Sequence, residues 1–508
     1  MLILLIAFVT GATSALAFEP AGLWVLMPVA FAILLGLIDR SKSLWSALLI
    51  GWLFGLGQFV VGLNWIATAF TYQTAMPASL GWVAVVLVSL YLAIYPALAA
   101  GLAWRIGRGN EVALVLALAG AWAVTEWLRA GIFTGFAWNP AAAALVPTPL
   151  IGVSALIGTY GLSTLTVLIG SVIWLEIRRK WLPGVVILLA TALLWALPSS
   201  PVPDDPLTVR PVRIVQPNIE QQDKWRPGFA DQAAQKLSAL SNRPGGERPR
   251  LLFWPEAAVV DPLQDERSGA PQAFAAYERA RATEPLQPDE YLITGGIALN
   301  SENGQTISGA TNSIFVLAPG GHIVGRYDKA HLVPYGEYLP MRPLLSRLGL
   351  SRLAPGDVDF ASGPGPRTIE LPDWGRVGMQ ICYEIIFSGH VVDWQQRPDF
   401  IFNPSNDAWF GRWGPPQHLA QARLRAAEEG LPVIRSTPTG ISALIDARGQ
   451  VVEQIGWREA GVIDALLPPK APQATPFAHF GNAIPLVVAA LLLLAAIALQ
   501  GGRRYRRT

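Results

Sequence analysis

Cysteine is almost missing from this chain of 508 residues, which carries one, Cys382. A single thiol cannot close an intramolecular disulfide, so a disulfide scaffold is excluded while the redox compartment stays open. Charge is scarce as well: 15% of residues are Asp, Glu, Lys or Arg, and 38 basic against 36 acidic residues leave a net charge of +2. Nothing global draws nucleic acid, and the basic residues that cluster sit beside apolar segments. Histidine occurs 5 times. No histidine or acid cluster has metal-ligand spacing, and no glycine-rich loop between strand and helix could cradle phosphate. Neither a metal nor a nucleotide cofactor is implied.

What the chain has in excess is apolar surface, at 52% of residues, too much for a water-soluble protein of this length. The excess is uneven. A bilayer core of about 30 Å takes about 20 apolar residues per helix, and seven such runs precede residue 200, near 2–17, 21–38, 44–66, 79–104, 111–128, 149–176 and 181–198. An eighth lies near 483–500. Ala15-Leu16-Ala17 resembles a signal-peptide cleavage site, but the first run lacks a charged start and is read as a retained helix. The expectation is a helical membrane domain over 1–200, a soluble domain over 207–470 and a last membrane helix over 483–500, with Pro198–Pro206 as linker.

Short-loop lysines and arginines orient such helices. With the N-terminus inside the cell, Arg40 and Lys42, Arg105 and Arg108, Arg178 to Lys180, and the tail arginines 503, 504, 506 and 507 all fall on the cytoplasmic side. The soluble domain then lies outside, which in a bacterium is the periplasmic face of the inner membrane. Glu126 with Arg129 is the conspicuous charge near the outer end of the fifth run, read as an ion pair at a helix end.

From about 208 to 470 the pattern changes to short β-branched runs at 212–219, 251–257, 291–298, 312–318, 376–382, 399–405, 432–437 and 441–447. Amphipathic helices fit at 228–242, 271–283, 384–396 and 417–430. This alternation predicts an α/β fold with helices outside the sheet.

Cys382 ends an apolar strand before a helical pattern, where a helix N-terminus would favour the thiolate. Position alone leaves open the alternative of a buried small hydrophobe. Two other strand ends change the weighting. Phe253-Trp254-Pro255-Glu256 places a carboxylate after a buried strand, an expensive place for an unused charge. Gly325 to Pro334 places Lys329 beyond another strand. Converging at one sheet edge, these three offer nucleophile, general base and oxyanion stabiliser for acyl transfer.

The WPE-type strand end, the YDKAHLVPYGEY loop and the QICYE elbow resemble the Glu-Lys-Cys triad of the nitrilase, or carbon-nitrogen hydrolase, superfamily. With the multi-helix front half, the chain is similar to the apolipoprotein N-acyltransferase family. Val215-Gln216-Pro217-Asn218 with Trp225, Asn403 to Phe410, and Gln417-His418 leading to Arg423 extend the likeness. The resemblance implies an αββα sandwich and a two-step reaction without cofactor. Glu256 takes the proton of Cys382, whose sulfur attacks the sn-1 ester of a phospholipid, typically phosphatidylethanolamine. The α-amine of a diacylglyceryl-cysteine apolipoprotein then receives the acyl chain. Lys329, with a backbone N–H after Cys382, would hold the oxyanion. The resemblance further implies supporting roles for Glu337, Tyr383, Glu384 and Trp225. Two rivals remain: a tethered amidase passing its acyl group to water, against which the helices argue, and a membrane scaffold with an inactive domain, against which the complete triad argues.

Overall fold

The computed structural model describes residues 1–72, 76–197, 210–224, 226, 228–348, 351–353 and 359–505, with side chains to 501. The expected linker lies outside these residues.

The first half is helical. Among the described residues five segments are long and apolar enough to cross a membrane: Leu44–Gly62, Leu80–Gly107, Glu111–Gly131, Pro149–Ile177 and Ala483–Gly501. Leu2–Ala17, Leu26–Asp39 and Trp181–Ala196 are shorter and equally apolar in kind. Between apolar helices in lipid no hydrophobic drive remains, so close backbone approach over small residues supplies the packing. Gly11 and Gly57 show it. A Cβ on Gly11 would collide with the Phe54 carbonyl, and one on Gly57 with the Phe8 carbonyl. Leu182, Leu189 and Leu491 instead point outward at 76%, 64% and 61% exposure, the mark of a surface meant for lipid.

The second half is a two-sheet sandwich. In chain order its strands are β1 (Pro211–Gln216), β2 (Leu251–Phe253), β3 (Gln264–Asp265), β4 (Tyr291–Asn300), β5 (Gly309–Ala318) and β6 (His322–Asp328). They continue with β7 (Arg367–Leu371), β8 (Gly375–Met379), β9 (Phe400–Pro404), β10 (Val433–Ser436), β11 (Ser442–Ile445), β12 (Val451–Ile455) and β13 (Gly461–Leu466). One sheet runs β13-β1-β2-β4-β5-β6 with β3 beside β4; the other runs β12-β11-β10-β9-β8-β7. Strands β1, β2 and β4 are parallel, as are β8, β9 and β10.

Strand side chains alternate between faces, and β2 uses both. Leu251 and Phe253 face the other sheet, where the Phe253 ring meets Phe402 at 4.9 Å, while Leu252 and Trp254 pack outward with Leu237 and Ala282 of the helices Phe229–Ser241 and Ala270–Ala282. Helices therefore cover the outer face, which explains the uninterrupted apolar strand sequences. This αββα arrangement beside apolar helices is the expected fold class.

One expected helix is absent. After Cys382 the chain makes a single 3-10 turn, Cys382–Ile386, and residues 387–398 are irregular. Tertiary partners take the carbonyls a helix would need: Arg425 Nη1 donates to Ile386 at 3.0 Å and Asn482 Nδ2 to Ser388 at 2.7 Å. Gly389 turns left-handed with φ +77°.

The halves interlock through the helix Gly414–Glu429. Near its start Gln417 Oε1 accepts from Trp138 Nε1 at 2.8 Å, and Gln417 Nε2 donates to the Glu19 carbonyl at 2.9 Å. At its other end Glu428 Oε1 accepts from Thr159 N at 2.5 Å. Thr159 follows Gly158, which breaks the helix Ser154–Ile177 with φ +68° and lets Phe477 pack against the bare Cα. Glu126 and Arg129 do stand near the end of the helix Glu111–Gly131, but they are buried and each takes further partners. Glu126 Oε1 accepts from Trp122 Nε1 and Ala141 N, while Arg129 Nη1 donates to the Trp138 carbonyl, so both tie down the 132–141 loop.

Candidate active site

Glu256, Lys329 and Cys382 follow β2, β6 and β8 closely, and the sandwich brings all three strand ends together. Glu256 is buried and fixed at both oxygens: Asn312 Nδ2 donates to Oε1 at 2.7 Å and the Asn406 backbone N–H to Oε2 at 2.6 Å. Lys329 Nζ lies 4.0 Å from that Oε1 and donates to Glu337 Oε1 at 2.9 Å. Glu337 also receives Asn312 Nδ2 at 3.0 Å and Val333 N at 2.8 Å. Burial alone would push the Lys329 ammonium down, but the carboxylates of Glu337 and Glu256 outweigh it and hold its pKa above the ordinary value. The buried Lys329 is thereby favoured as the ammonium.

Cys382 sits at φ +51°, in the left-handed region, at the first residue of its turn. Burial and the neighbouring Glu256 carboxylate push its thiol pKa well up, against the opposing pull of Lys329 and the Asn406 N–H. These effects act against the thiolate that a helix N-terminus would favour. The full helix is missing, and desolvation outweighs one short turn.

The supporting residues divide by partner. Glu384 clamps two loops together: Oε1 accepts from Tyr327 Oη and from the Ala330 and His331 N–H groups at 2.8 to 2.9 Å, and Oε2 from Ile381 N at 2.7 Å. Burial raises its pKa, against those donors. It thus locks the Lys329 loop to the Cys382 elbow. Tyr383 reaches the helical half, with its hydroxyl 3.3 Å from the Gly135 carbonyl and its ring near Phe136, His331 and Phe387. Trp225 lies outside the described residues. His331 packs against Phe387, with 4.0 Å between ring centroids.

Sequence reasoning overlooked three kinds of residue. Asn312 bridges Glu256 and Glu337, but an asparagine inside a strand carries no signal of that. Lys224 is buried, donates to the Ala257 carbonyl at 3.3 Å, and is driven down to about 8 by burial despite the pull of Glu256. A buried network of Asp407, His418 and Arg435 lies beneath the elbow. Asp407 and His418 fall in stretches that stand out as motifs and Arg435 in an expected strand, but their convergence depends on the sheet order.

A carboxylate, an ammonium and a thiol at the strand ends of an αββα sandwich define the nitrilase-like class of acyl-transferring domains, here joined to apolar helices. The carbon-nitrogen hydrolase family model matches residues 212–477, and the model of the apolipoprotein N-acyltransferase N-terminal domain matches residues 10–172. An apolipoprotein N-acyltransferase of Rhizobium rhizogenes is 36% identical, across 91% of this chain and 89% of that protein. One of Bradyrhizobium diazoefficiens is also 36% identical, across 99% and 96%. Among solved structures, yeast Nit3 of the nitrilase superfamily aligns with TM-score 0.39 and 18% identity, over 55% of this chain and 95% of its own. The chain belongs to the apolipoprotein N-acyltransferase family.

Proposed function

We propose that this protein is a multi-pass enzyme of the bacterial inner membrane that moves the sn-1 acyl chain of a phospholipid, phosphatidylethanolamine being the favoured donor, to the α-amine of a diacylglyceryl-cysteine at an apolipoprotein N-terminus. The observation that carries this reading is the convergence of Glu256, Lys329 and Cys382 beside a loop of the apolar half, with Tyr383 bridging to Gly135.

In the first step Glu256 accepts the thiol proton and the sulfur adds to the ester carbonyl. The oxygen becomes an oxyanion facing the Lys329 ammonium. Collapse expels the lysophospholipid alkoxide, which takes the proton back from Glu256, and leaves a thioester on Cys382. In the second step the amine, losing a proton to Glu256, adds to the thioester and the thiol departs reprotonated. Donor and acceptor thus react in turn, by a ping-pong course. Glu337 keeps Lys329 charged and aimed, while Glu384 and Tyr383 hold the elbow.

Eight spans with both termini cytoplasmic fit the alternation of basic loops, placing the sandwich in the periplasm. No ATP is present there, so the acyl group must come from an ester already in the membrane, and a thioester conserves its reactivity.

Purified protein incubated with phosphatidylethanolamine and a diacylated lipopeptide should yield, by mass spectrometry, a lipopeptide heavier by one acyl chain plus lysophospholipid. Free fatty acid as the sole product would replace this reading with a hydrolase. A periplasm-dependent reporter fused after Thr508 should stay silent, and a signal would overturn the orientation.

A further inference from the structure

Beneath the nucleophile lies a group of buried polar side chains that the proposed chemistry does not use. His418, on the helix Gly414–Glu429, is fully buried. Its Nε2 lies 3.1 Å from the Cys382 carbonyl oxygen. Its Nδ1 lies 3.0 Å from Asp407 Oδ1 and 3.0 Å from Arg435 Nη2. Arg435 Nη2 also donates to both Asp407 oxygens at 2.7 Å, and Arg435 Nη1 donates to Asn403 Oδ1 and to Ser405 Oγ. Asn403 Nδ2 in turn donates to the Gln380 carbonyl at 2.8 Å and to the Cys382 carbonyl at 3.3 Å. The Trp138 ring from the helical half and the Phe410 ring close over the imidazole at 5.2 and 5.6 Å.

The proton inventory follows from these partners. A carbonyl oxygen only accepts, so Nε2 must carry a hydrogen. Burial and the Arg435 guanidinium hold the His418 pKa below its ordinary value, against Asp407 and the Cys382 carbonyl. Nδ1 lies within 3.0 Å of both the Asp407 carboxylate and the Arg435 guanidinium, while the carbonyl fixes the hydrogen on Nε2. Asp407 is kept low by Arg435 and His418 despite its burial, and stays ionised to hold the guanidinium in place.

Cys382 needs that grip because of its backbone. A non-glycine residue at φ +51° sits in a region costing of order 1 kcal/mol or more and persists only when the surroundings over-determine it. The Cys382 carbonyl is the handle through which the elbow can be held. We infer that His418 is a positioning residue for the nucleophile: through Nε2–H it fastens the Cys382 carbonyl, with Asp407 and Arg435 fixing its ring, and so aims the sulfur at the ester between Glu256 and Lys329.

This inference rests on the thioester reading, and substitutions that divide the imidazole into its two nitrogens test it. In His418→Gln the amide nitrogen can occupy the Nε2 position and still donate to the Cys382 carbonyl. In His418→Asn the shorter amide can still meet Asp407 and Arg435 but falls short of the carbonyl. The full-length enzyme in phospholipid micelles, without amine acceptor, is followed for the rate of acyl-adduct formation on Cys382 by mass, alongside melting temperature and KM for phospholipid. His418→Gln should retain the wild-type rate within about fivefold, while His418→Asn should lose about 100-fold in the acylation rate at unchanged KM, the loss expected for a misaimed group. His418→Asn acylating as fast as His418→Gln would overturn the inference, and so would rates that simply follow melting temperature across the two variants. Wild-type protein that forms no adduct would instead bring down the thioester reading, and this inference with it.

Discussion

The helical half and the sandwich half spend the same scarce charges in opposite ways. In the helices, leucine, isoleucine and tryptophan face outward while glycine and alanine fill the contacts, and the few buried charges, Glu126 and Arg129, stand at the junction with the sandwich. In the sandwich, Arg213, Arg435, Lys329, Glu256 and Asp407 are all at least nine-tenths buried and each has a partner. Burying a charge costs several kcal/mol unless it is paired and hydrogen-bonded. Where water is the solvent, that cost is met at two kinds of place, the reacting centre and the frame holding it. Where lipid is the solvent, it is avoided except where the frame continues.

If the halves divide labour in this way, removing the thiol should silence the sandwich and leave the helices untouched. Cys382→Ala is expected to lower acyl transfer by at least about 10⁴-fold, as loss of a covalent nucleophile does. Its membrane insertion and melting temperature should match wild type. Residual transfer near the normal rate, read from lipopeptide mass, would refute the assignment.

Lys329→Met tests the charge itself, and should slow adduct formation by about 10³-fold, since it removes the cation facing the oxyanion. Slowing of less than about tenfold would move the oxyanion role elsewhere.

Glu337→Gln is expected to cost about tenfold and to change the pH profile in a set direction. Glu337 helps hold the Lys329 pKa above its ordinary value, against burial. Without that carboxylate the lysine should lose its proton at lower pH, so the alkaline limb of activity should move toward neutrality. An unmoved alkaline limb would show that Glu337 does not tune Lys329.

The smallest effect should come from the seam. Trp138→Phe deletes one buried hydrogen bond from the helical half to Gln417. It should cost about 1 kcal/mol of stability, seen as a melting temperature lower by a few degrees, with activity within about twofold. A larger loss of activity at unchanged stability would mean that the helices do more than support the elbow.

Much of this arrangement was legible in the sequence because it is local. Apolar runs of the right length marked the helices, and the alternation of strands and helices marked the α/β fold. Glu256 stood out as a costly charge after a buried strand, and Lys329 and Cys382 by their positions at two other strand ends. What the sequence could not disclose depends on chain segments meeting from afar. Glu384 was noted only as a neighbour of Cys382, yet its carboxylate collects donors from Tyr327, Ala330 and His331 on a different strand and loop. His418 lies 36 positions from the carbonyl it meets. The helix expected over 384–396 failed for the same reason, since Arg425 and Asn482 claim its carbonyls from far along the chain.

The Gly158 break also bears on the order in which the molecule can be made. Its neighbour Thr159 offers a backbone N–H whose acceptor, Glu428, is 269 residues further along. At about 5–20 residues per second, that partner leaves the ribosome on the order of tens of seconds later. A bare N–H in hydrocarbon costs several kcal/mol, so during that interval the start of this helix must stay where water can reach it. The segment is thus expected to enter the membrane in two stages, its long C-terminal part first and its first turn only when the catalytic domain has folded down upon it.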